Sequence, residues 1–230
     1  MNLCLFDLDD TLLPLDSDHA WGDFVVRKGW VDSVAFKQGN DKFYAQYQAG
    51  LLDIHAYIRF ATEPLRARSS AELAAAHEEF MQQVIRPNVR DSALSLVAKH
   101  QQQGDWVVLV TATNEFVTSP IARAFGIDTL IAVQLQRDAS GRITGLIDGT
   151  PSYREGKVTR VGQWLASKNQ QWERFERITV YSDSANDLPL FERATHPVAT
   201  NPSASLLAVA QARGWPVLKL FESDTVSTLS

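Results

Sequence analysis

Cysteine is nearly absent: the 230 residues contain one, Cys4. A lone thiol closes no internal disulfide. Because Cys4 stands inside the apolar run Leu3 to Phe6, it reads as a buried strand residue of a chain kept in a reducing compartment. Long hydrophobic stretches are missing too, none approaching the roughly 18 residues that span a bilayer. The segment Met1 to Asp10 lacks a basic start and meets acidic residues early, which speaks against a secretion signal. Positive charge is in deficit, with 22 Lys and Arg against 27 Asp and Glu and a formal charge of −5. The cations are scattered, so no basic field exists to capture a phosphate backbone. These absences predict a cytoplasmic chain with neither nucleic acid nor membrane as partner. With 21% charged residues, 10% aromatics and no biased tract, disordered, collagen-like and coiled-coil classes are excluded as well. What is present, 45% apolar residues, suffices for a single core carrying a modest insertion.

Three short apolar runs end abruptly on polar residues. Leu3 to Phe6 stops at Asp7, Trp106 to Val110 at Thr111, and Ile178 to Tyr181 at Ser182 and Asp183. Continuous apolar runs of this length are the pattern of parallel strands buried on both faces, and ligand sites in open α/β sheets gather at the carboxyl ends of such strands. Helical stretches are expected over residues 115–125, 157–165 and 202–213, the last with Asn201 as its N-cap. The alternation predicts an α/β fold with a doubly wound, Rossmann-like parallel sheet. Residues 134–138 and 143–147 flank a turn-rich link and read as a peripheral β-hairpin. From Asp16 to about Pro87 no strand-like run occurs; Trp21, Phe24 and Val25, then Phe36, Phe43, Tyr44 and Tyr47, recur at helical spacing. This predicts an all-helical insertion over 16–87, cut by Gly29, Gly50 and Pro64 into about four helices, within a core formed by 1–15 and 88–230.

The chemistry gathers at the strand ends. Asp7 and Asp9 form a carboxylate pair directly after the first run, in the string Asp7-Leu8-Asp9-Asp10-Thr11, and Asp183 and Asp187 form a second pair after the third. Four acidic groups meeting at neighbouring strand ends would repel one another without a cation. Mg²⁺, which prefers a few carboxylate oxygens, waters and a substrate phosphate, would relieve that repulsion while organising an anion. Thr111 offers a hydroxyl at the second strand end, and the amides of Ala112 to Asn114 are candidates for an anion nest at the helix start. Lys157 could bring a point charge to a phosphate or to the acidic cluster.

This ordered set, D-x-D-x-T, then Thr after an apolar strand, then Lys, then D-x-x-x-D, resembles the haloacid dehalogenase superfamily of phosphatases. The helical insertion after the first motif is similar to the cap of its phosphoserine-phosphatase-like branch. Within that branch, Asp16 to Trp21 (D-S-D-H-A-W) and Thr111 to Asn114 (T-A-T-N) look like a bacterial subgroup that includes histidinol-phosphate phosphatases. The resemblance implies a phosphomonoester hydrolase in which Asp7 attacks phosphorus to give an aspartyl-phosphate. Asp9 would protonate the leaving alkoxide and then take a proton from water. Mg²⁺ would be held by the Asp7 carboxylate, the Asp9 carbonyl and Asp183, with Thr111 and Lys157 on the phosphoryl oxygens. Asn186 and Asp187 would support the metal waters and Lys157. Ser182 stands where the family often has Gly.

For the substrate, the resemblance places an amine-binding acid at Asp16, with Asp18 beside it, and aligns the branch's carboxylate-gripping arginine with Ala61. That loss favours a small metabolite bearing an amine but no carboxylate, such as histidinol phosphate, with its ring against Trp21 or Phe60. Arg59, Arg66 and Arg68 could restore a carboxylate grip, Arg59 first; Ala112 and Thr113 join the expected substrate contacts, and His19 and His55 could line the insertion. The alternatives are a phosphoserine or broad-specificity phosphatase and, in another class, a non-catalytic phosphate-binding module. Trp21, Trp30, Phe36 and Phe43 form either a docking face or the insertion's own core.

Overall fold

The computed structural model describes residues 1–222. β1 (Asn2–Phe6) opens the chain, followed by α1 (Ser17–Arg27), α2 (Ser33–Gln48), α3 (Ile54–Ala61), the single turn α4 (Glu63–Arg66) and α5 (Ser70–Phe80). A π turn over Met81–Ile85 and a 3-10 turn at Arg86–Asn88, where Pro87 blocks another α turn, lead to α6 (Asp91–Gln102). Then come β2 (Trp106–Asn114), α7 (Glu115–Ala124), β3 (Thr129–Val133) and the short strands β4 (Leu135–Arg137) and β5 (Ile143–Ile147). The chain continues through α8 (Glu155–Ser167), β6 (Arg177–Ser182), α9 (Leu188–Phe191), β7 (His196–Thr200), α10 (Ala204–Arg213) and β8 (Val217–Leu218).

Six strands form one sheet in the order β3-β2-β1-β6-β7-β8, every neighbouring pair parallel. The chain winds outward from β1 on one side, then crosses to β6 and winds outward on the other. The crevice at that reversal, outside the carboxyl ends of β1 and β6, is where a doubly wound sheet binds its ligand. Alternation along β1 explains why both faces are apolar: Cys4 and Phe6 join one core cluster, Leu3 and Leu5 the other. The first face is covered by α6 and α7 through Ala93, Val97, Val117 and Ile121, the second by α8 and α10 through Val161, Leu165, Leu206 and Ala210. Burial pushes the Cys4 thiol well above its ordinary value, so it behaves as a small hydrophobe.

The helices between β1 and α6 share the first of these cores. Trp21 lies 5.3 Å from Phe24 and 5.1 Å from Phe80, ring centre to ring centre, and all three are buried in the cluster that contains Phe6 and Val117. Each such ring contributes roughly 1.5–3 kcal/mol on burial, so the insertion grows out of the core. Trp21 and Phe36 are therefore interior residues; the docking-face reading does not hold for them. No helix among the described residues is long and apolar enough to cross a membrane.

Several expectations change. The insertion holds five α-helices: Thr62, bonded through Oγ1 to the Ile58 carbonyl at 2.6 Å, ends α3 just before Pro64, and a Ser69–Glu72 capping box starts α5. The α6 helix lacks a capping signal, since its N-cap position is Arg90, which makes no side-chain cap. The β4–β5 hairpin is no outlying ornament: β5 packs on α3 and α4, with Leu135 and Ile143 buried. Asn201 does not cap α10. Ser203 does, while Asn201, at φ +44°, donates from Nδ2 to the carbonyls of Asp10 at 3.0 Å and Thr11 at 3.2 Å.

Candidate active site

The turn after β1 is built by its own backbone. The Leu8 carbonyl accepts the amides of Thr11, Leu12 and Leu13 at 3.2, 2.9 and 3.0 Å, and Asp10 adopts φ +53°, an uncommon conformation that Asp tolerates. Asn201 braces that turn from the far end of the chain. The result sets Asp7 at the strand end, its amide bonded to the Tyr181 carbonyl at 2.9 Å, with Asp9 one step beyond.

Lys157 occupies the centre of the cluster. Its side chain is 1% exposed, and Nζ lies 3.0 Å from Asp7 Oδ1 and 2.8 Å from Asp187 Oδ2. The first turn of α8 can deliver it because Gly156 passes the Pro151 carbonyl so closely that a Cβ there would lie 2.0 Å from the oxygen. Ser182, where glycine was expected, donates to Asp187 Oδ2 at 2.7 Å and thereby joins the network. Thr11 and Asp183 bond twice: the Thr11 hydroxyl donates to Asp183 Oδ1 at 3.1 Å and accepts the Asp183 amide at 3.0 Å. Asp9 accepts the Ser17 amide on Oδ1 and the Thr113 hydroxyl on Oδ2, both at 2.8 Å.

Burial dominates the electrostatics. It raises Asp7 to about 8, against the pull of Lys157 and with the help of Asp187 and Asp9, and it raises Asp9 to about 7, with Asp16 adding to the effect. Asp183 is driven well up by burial and by Asp7, Asp10 and Asp187. One ammonium among these carboxylates leaves them short of positive charge, a deficit that protons or a cation must fill. Among the described residues no three His, Cys, Asp or Glu side chains gather on one point. The donor set therefore suits a hard ion that takes two carboxylates, a backbone carbonyl and waters, as Mg²⁺ does.

Thr111 is buried at the end of the β2 apolar run, its Oγ1 accepting the Thr113 amide at 3.1 Å. That bond occupies one of the amides expected in an anion nest. The strand runs on to Asn114, which caps α7 through Oδ1 at 3.2 Å from the Val117 amide. Asn186 donates from Nδ2 to the Tyr47 carbonyl at 3.0 Å, tying this loop to α2. A second tie runs from Arg154 to the carbonyl of Gly50 at 3.2 Å, where the chain turns at φ +70°.

Above the strand ends lies a cavity of about 30 Å³ lined by Asp7, Asp9, Thr111, Ala112 and Thr113 from the core and by Asp16, Asp18, His19, Asn40, Phe43, Tyr44, Tyr47, Leu52, Ile54 and Tyr57 from the insertion. Asp16 caps α1, accepting the His19 amide at 2.7 Å; Asp18 accepts Asn114 Nδ2 at 3.2 Å. Burial holds both near 7. Tyr44 and Tyr47 separate this cavity from a wider cleft of about 1080 Å³ that reaches Asp183 and Asn186.

The expected substrate contacts divide. Asp16, Asp18, Ala112 and Thr113 line the cavity; Arg59 does not, being exposed on α3. Arg66 is exposed, and Arg68 covers the Trp30 ring at 4.8 Å. Ala61 and Trp21 are buried away from the cavity, and Phe60, half-buried, stacks on Phe36 at 4.4 Å and does not line it. His19 lines the cavity and meets Asp41 at 3.0 Å, whereas His55 is exposed. Residues missed from sequence are Asn40 and Tyr57. Asn40 fell within the Phe36–Tyr47 helical face, and its place there was the available signal; for Tyr57 the signal was its helical spacing with Ile54, Ile58 and Ala61.

Carboxylates at the switch point of a doubly wound sheet, cross-linked by one buried lysine, define a hydrolase class, and the chain belongs to the haloacid dehalogenase-like hydrolases, whose family matches residues 4–192. It is a phosphatase. A histidinol-phosphatase of Neisseria meningitidis serogroup C is 45% identical over 217 residues, 94% of this chain and 98% of that one. A phosphoserine phosphatase of Mycobacterium tuberculosis is 29% identical, over 92% of this chain and 68% of its own. The crystal structure of a Bordetella pertussis protein of unknown function superposes with a TM-score of 0.90 at 51% identity, covering 96% of this chain and 99% of that one. A substrate-bound phosphoserine phosphatase shares the fold, with a TM-score of 0.67 at 16% identity over 99% and 98% of the two chains.

Proposed function

We propose that the chain is a Mg²⁺-dependent phosphomonoesterase that works through an aspartyl-phosphate and takes histidinol phosphate as its substrate. The observation that carries the substrate reading is the lining of the cavity: carboxylates at Asp7, Asp9, Asp16 and Asp18, and no Lys or Arg. A leaving group with a carboxylate, such as serine, would meet like charge there with no arginine to receive it. An amino alcohol supplies the missing cation. The relative at 45% identity supports the same substrate.

Asp7 and Asp183, with the Asp9 carbonyl, would hold the metal ion, which when bound neutralises phosphoryl charge and keeps Asp7 ionised. An Asp7 oxygen then attacks phosphorus and the bond to the alcohol oxygen breaks. Asp9, near 7 and so able to carry a proton at neutral pH, gives it to the departing oxygen. Water next attacks the phospho-aspartyl group, Asp9 takes back a proton, and phosphate leaves with Asp7 restored. Lys157 and Thr111 share the charge of the phosphoryl oxygens. Asp187 holds Lys157 in place, and Asn186 acts on the insertion through Tyr47. In this reading residues 16–87 are the substrate-selecting cap. The cavity has room for little more than a water molecule, so the cap swings to admit substrate. The chain works in the cytoplasm on a small metabolite; its negative net charge and acidic pocket give a nucleic acid or an anionic membrane nothing to bind.

The test is phosphate release from histidinol phosphate and phosphoserine side by side, with Mg²⁺ and with chelator, using Asp7→Asn as the blank. The expected result is Mg²⁺-dependent release with histidinol phosphate preferred by more than about tenfold in kcat/KM. Preference for phosphoserine would sink the substrate reading, and full activity in chelator the metal.

A further inference from the structure

Resting on that reading, the geometry points to Asp18 as the residue that selects the leaving group: its free oxygen accepts a hydrogen bond from a second nitrogen of the alcohol, the imidazole N–H, while Asp16 receives the amine. The substrate class this defines is a phosphomonoester whose alcohol carries two proton-donating nitrogens and no carboxylate.

Four observations carry it. Asp18 is 5% exposed and lines the cavity, yet its Oδ2 has no hydrogen-bond partner, and buried carboxylate oxygens are ordinarily satisfied. Its other oxygen is held by Asn114 Nδ2. Asn114 is itself locked at the start of α7 by its bond to Val117, so the core fixes which way the free oxygen faces. Asp16 spends Oδ1 on the His19 amide, which leaves a second carboxylate with an acceptor to spare. Third, the basic side chain lining the cavity, His19, is engaged by Asp41, and no Lys or Arg is there to answer either acid. Finally, Phe43, Tyr44 and Tyr57 supply flat apolar walls suited to a planar ring.

The test compares wild type, Asp16→Asn and Asp18→Asn on histidinol phosphate and on phosphoethanolamine, which keeps the amine and lacks the ring. Asp18→Asn should raise KM for histidinol phosphate by about tenfold or more while kcat moves less than about threefold, and kcat/KM for phosphoethanolamine should fall far less. Asp16→Asn should weaken both esters alike. Calorimetric titration with histidinol gives a readout independent of turnover, expected to lose affinity in Asp18→Asn. Asn114→Ser, which keeps a helix-capping residue and releases Asp18 Oδ1, should raise the same KM by a smaller factor and serves if Asp18→Asn does not fold. Equal losses on both esters, or an unchanged KM for histidinol phosphate in an enzyme that prefers it, would overturn the assignment alone. A wild type that hydrolyses phosphoethanolamine but ignores histidinol phosphate would overturn the substrate reading and this assignment together.

Discussion

The two walls of the site are built on opposite terms. On the core side each acidic group has a partner supplied by a strand end, by α8 or by the first residue of α1: Asp7 and Asp187 share Lys157, Asp183 has Thr11, and Asp9 has Thr113 and Ser17. On the insertion side Asp16 and Asp18 face the same cavity without a cation, and Asp18 keeps an oxygen unmet. The core wall is organised for phosphoryl chemistry whatever the alcohol. In the proposed reaction the alcohol completes the insertion wall, a division that would place catalysis in one half of the molecule and choice in the other.

Removing the proposed nucleophile should have the largest effect. Asp7→Asn is expected to cut phosphate release by about 10⁴-fold or more while circular dichroism stays unchanged; residual activity near wild type would break the division of labour at its root. Next is Lys157→Met, which strands two buried carboxylates. It should lower kcat by about 10³-fold and stability by about 3 kcal/mol or more at neutral pH, read by urea unfolding; an unchanged midpoint would mean the core wall is not balanced by this lysine.

The insertion wall gives a pH signature of its own. Burial raises Asp18 from 3.8 to about 7 and Asp16 likewise. A carboxyl that holds its proton more tightly when folded costs the fold nothing below pH 4. It weakens the fold progressively as pH climbs from about 4 to about 7, the penalty then levelling off. Metal-free Asp18→Asn should therefore match wild type near pH 4 and exceed it by on the order of a few kcal/mol at pH 8, measured as unfolding midpoints across that range. A constant gap would contradict the electrostatic account. The smallest effect is expected at Arg59, exposed and off the cavity. Arg59→Ala should change stability by less than about 0.5 kcal/mol and leave kcat/KM for histidinol phosphate within about twofold, and a large rise in KM would return that arginine to the site.

The same contrast decides what could be read without a structure. Asp7, Asp9, Lys157, Asp183 and Asp187 sit at ends of apolar runs or in the first turn of a helix, so local pattern alone places them at one edge of the sheet. The insertion's contacts depend on how helices pack. Whether residue 59, 60 or 61 of α3 faces the cavity is a question of rotation that an ungapped alignment does not answer; Tyr57 faces it and those three do not. Asn201 was misread for a related reason: beside a helix start its sequence context says cap, while its actual partners lie 190 and 191 residues away. Ser203, two positions on, was the better cap all along.

Those separations also bear on how the molecule comes into being. The acidic turn at residues 7–11 leaves the ribosome well ahead of its partners: Lys157, Asp183 and Asn201 meet it across gaps of 150, 172 and 191 residues. For most of its synthesis the nascent chain carries Asp7 with no counter-charge and an unbraced turn. Pairings this distant in sequence are slow to form, so competence should arrive in a single late event once β6 has docked beside β1 and β7 beside β6, and a chain shortened before residue 201 should yield an inactive product however well its helices form.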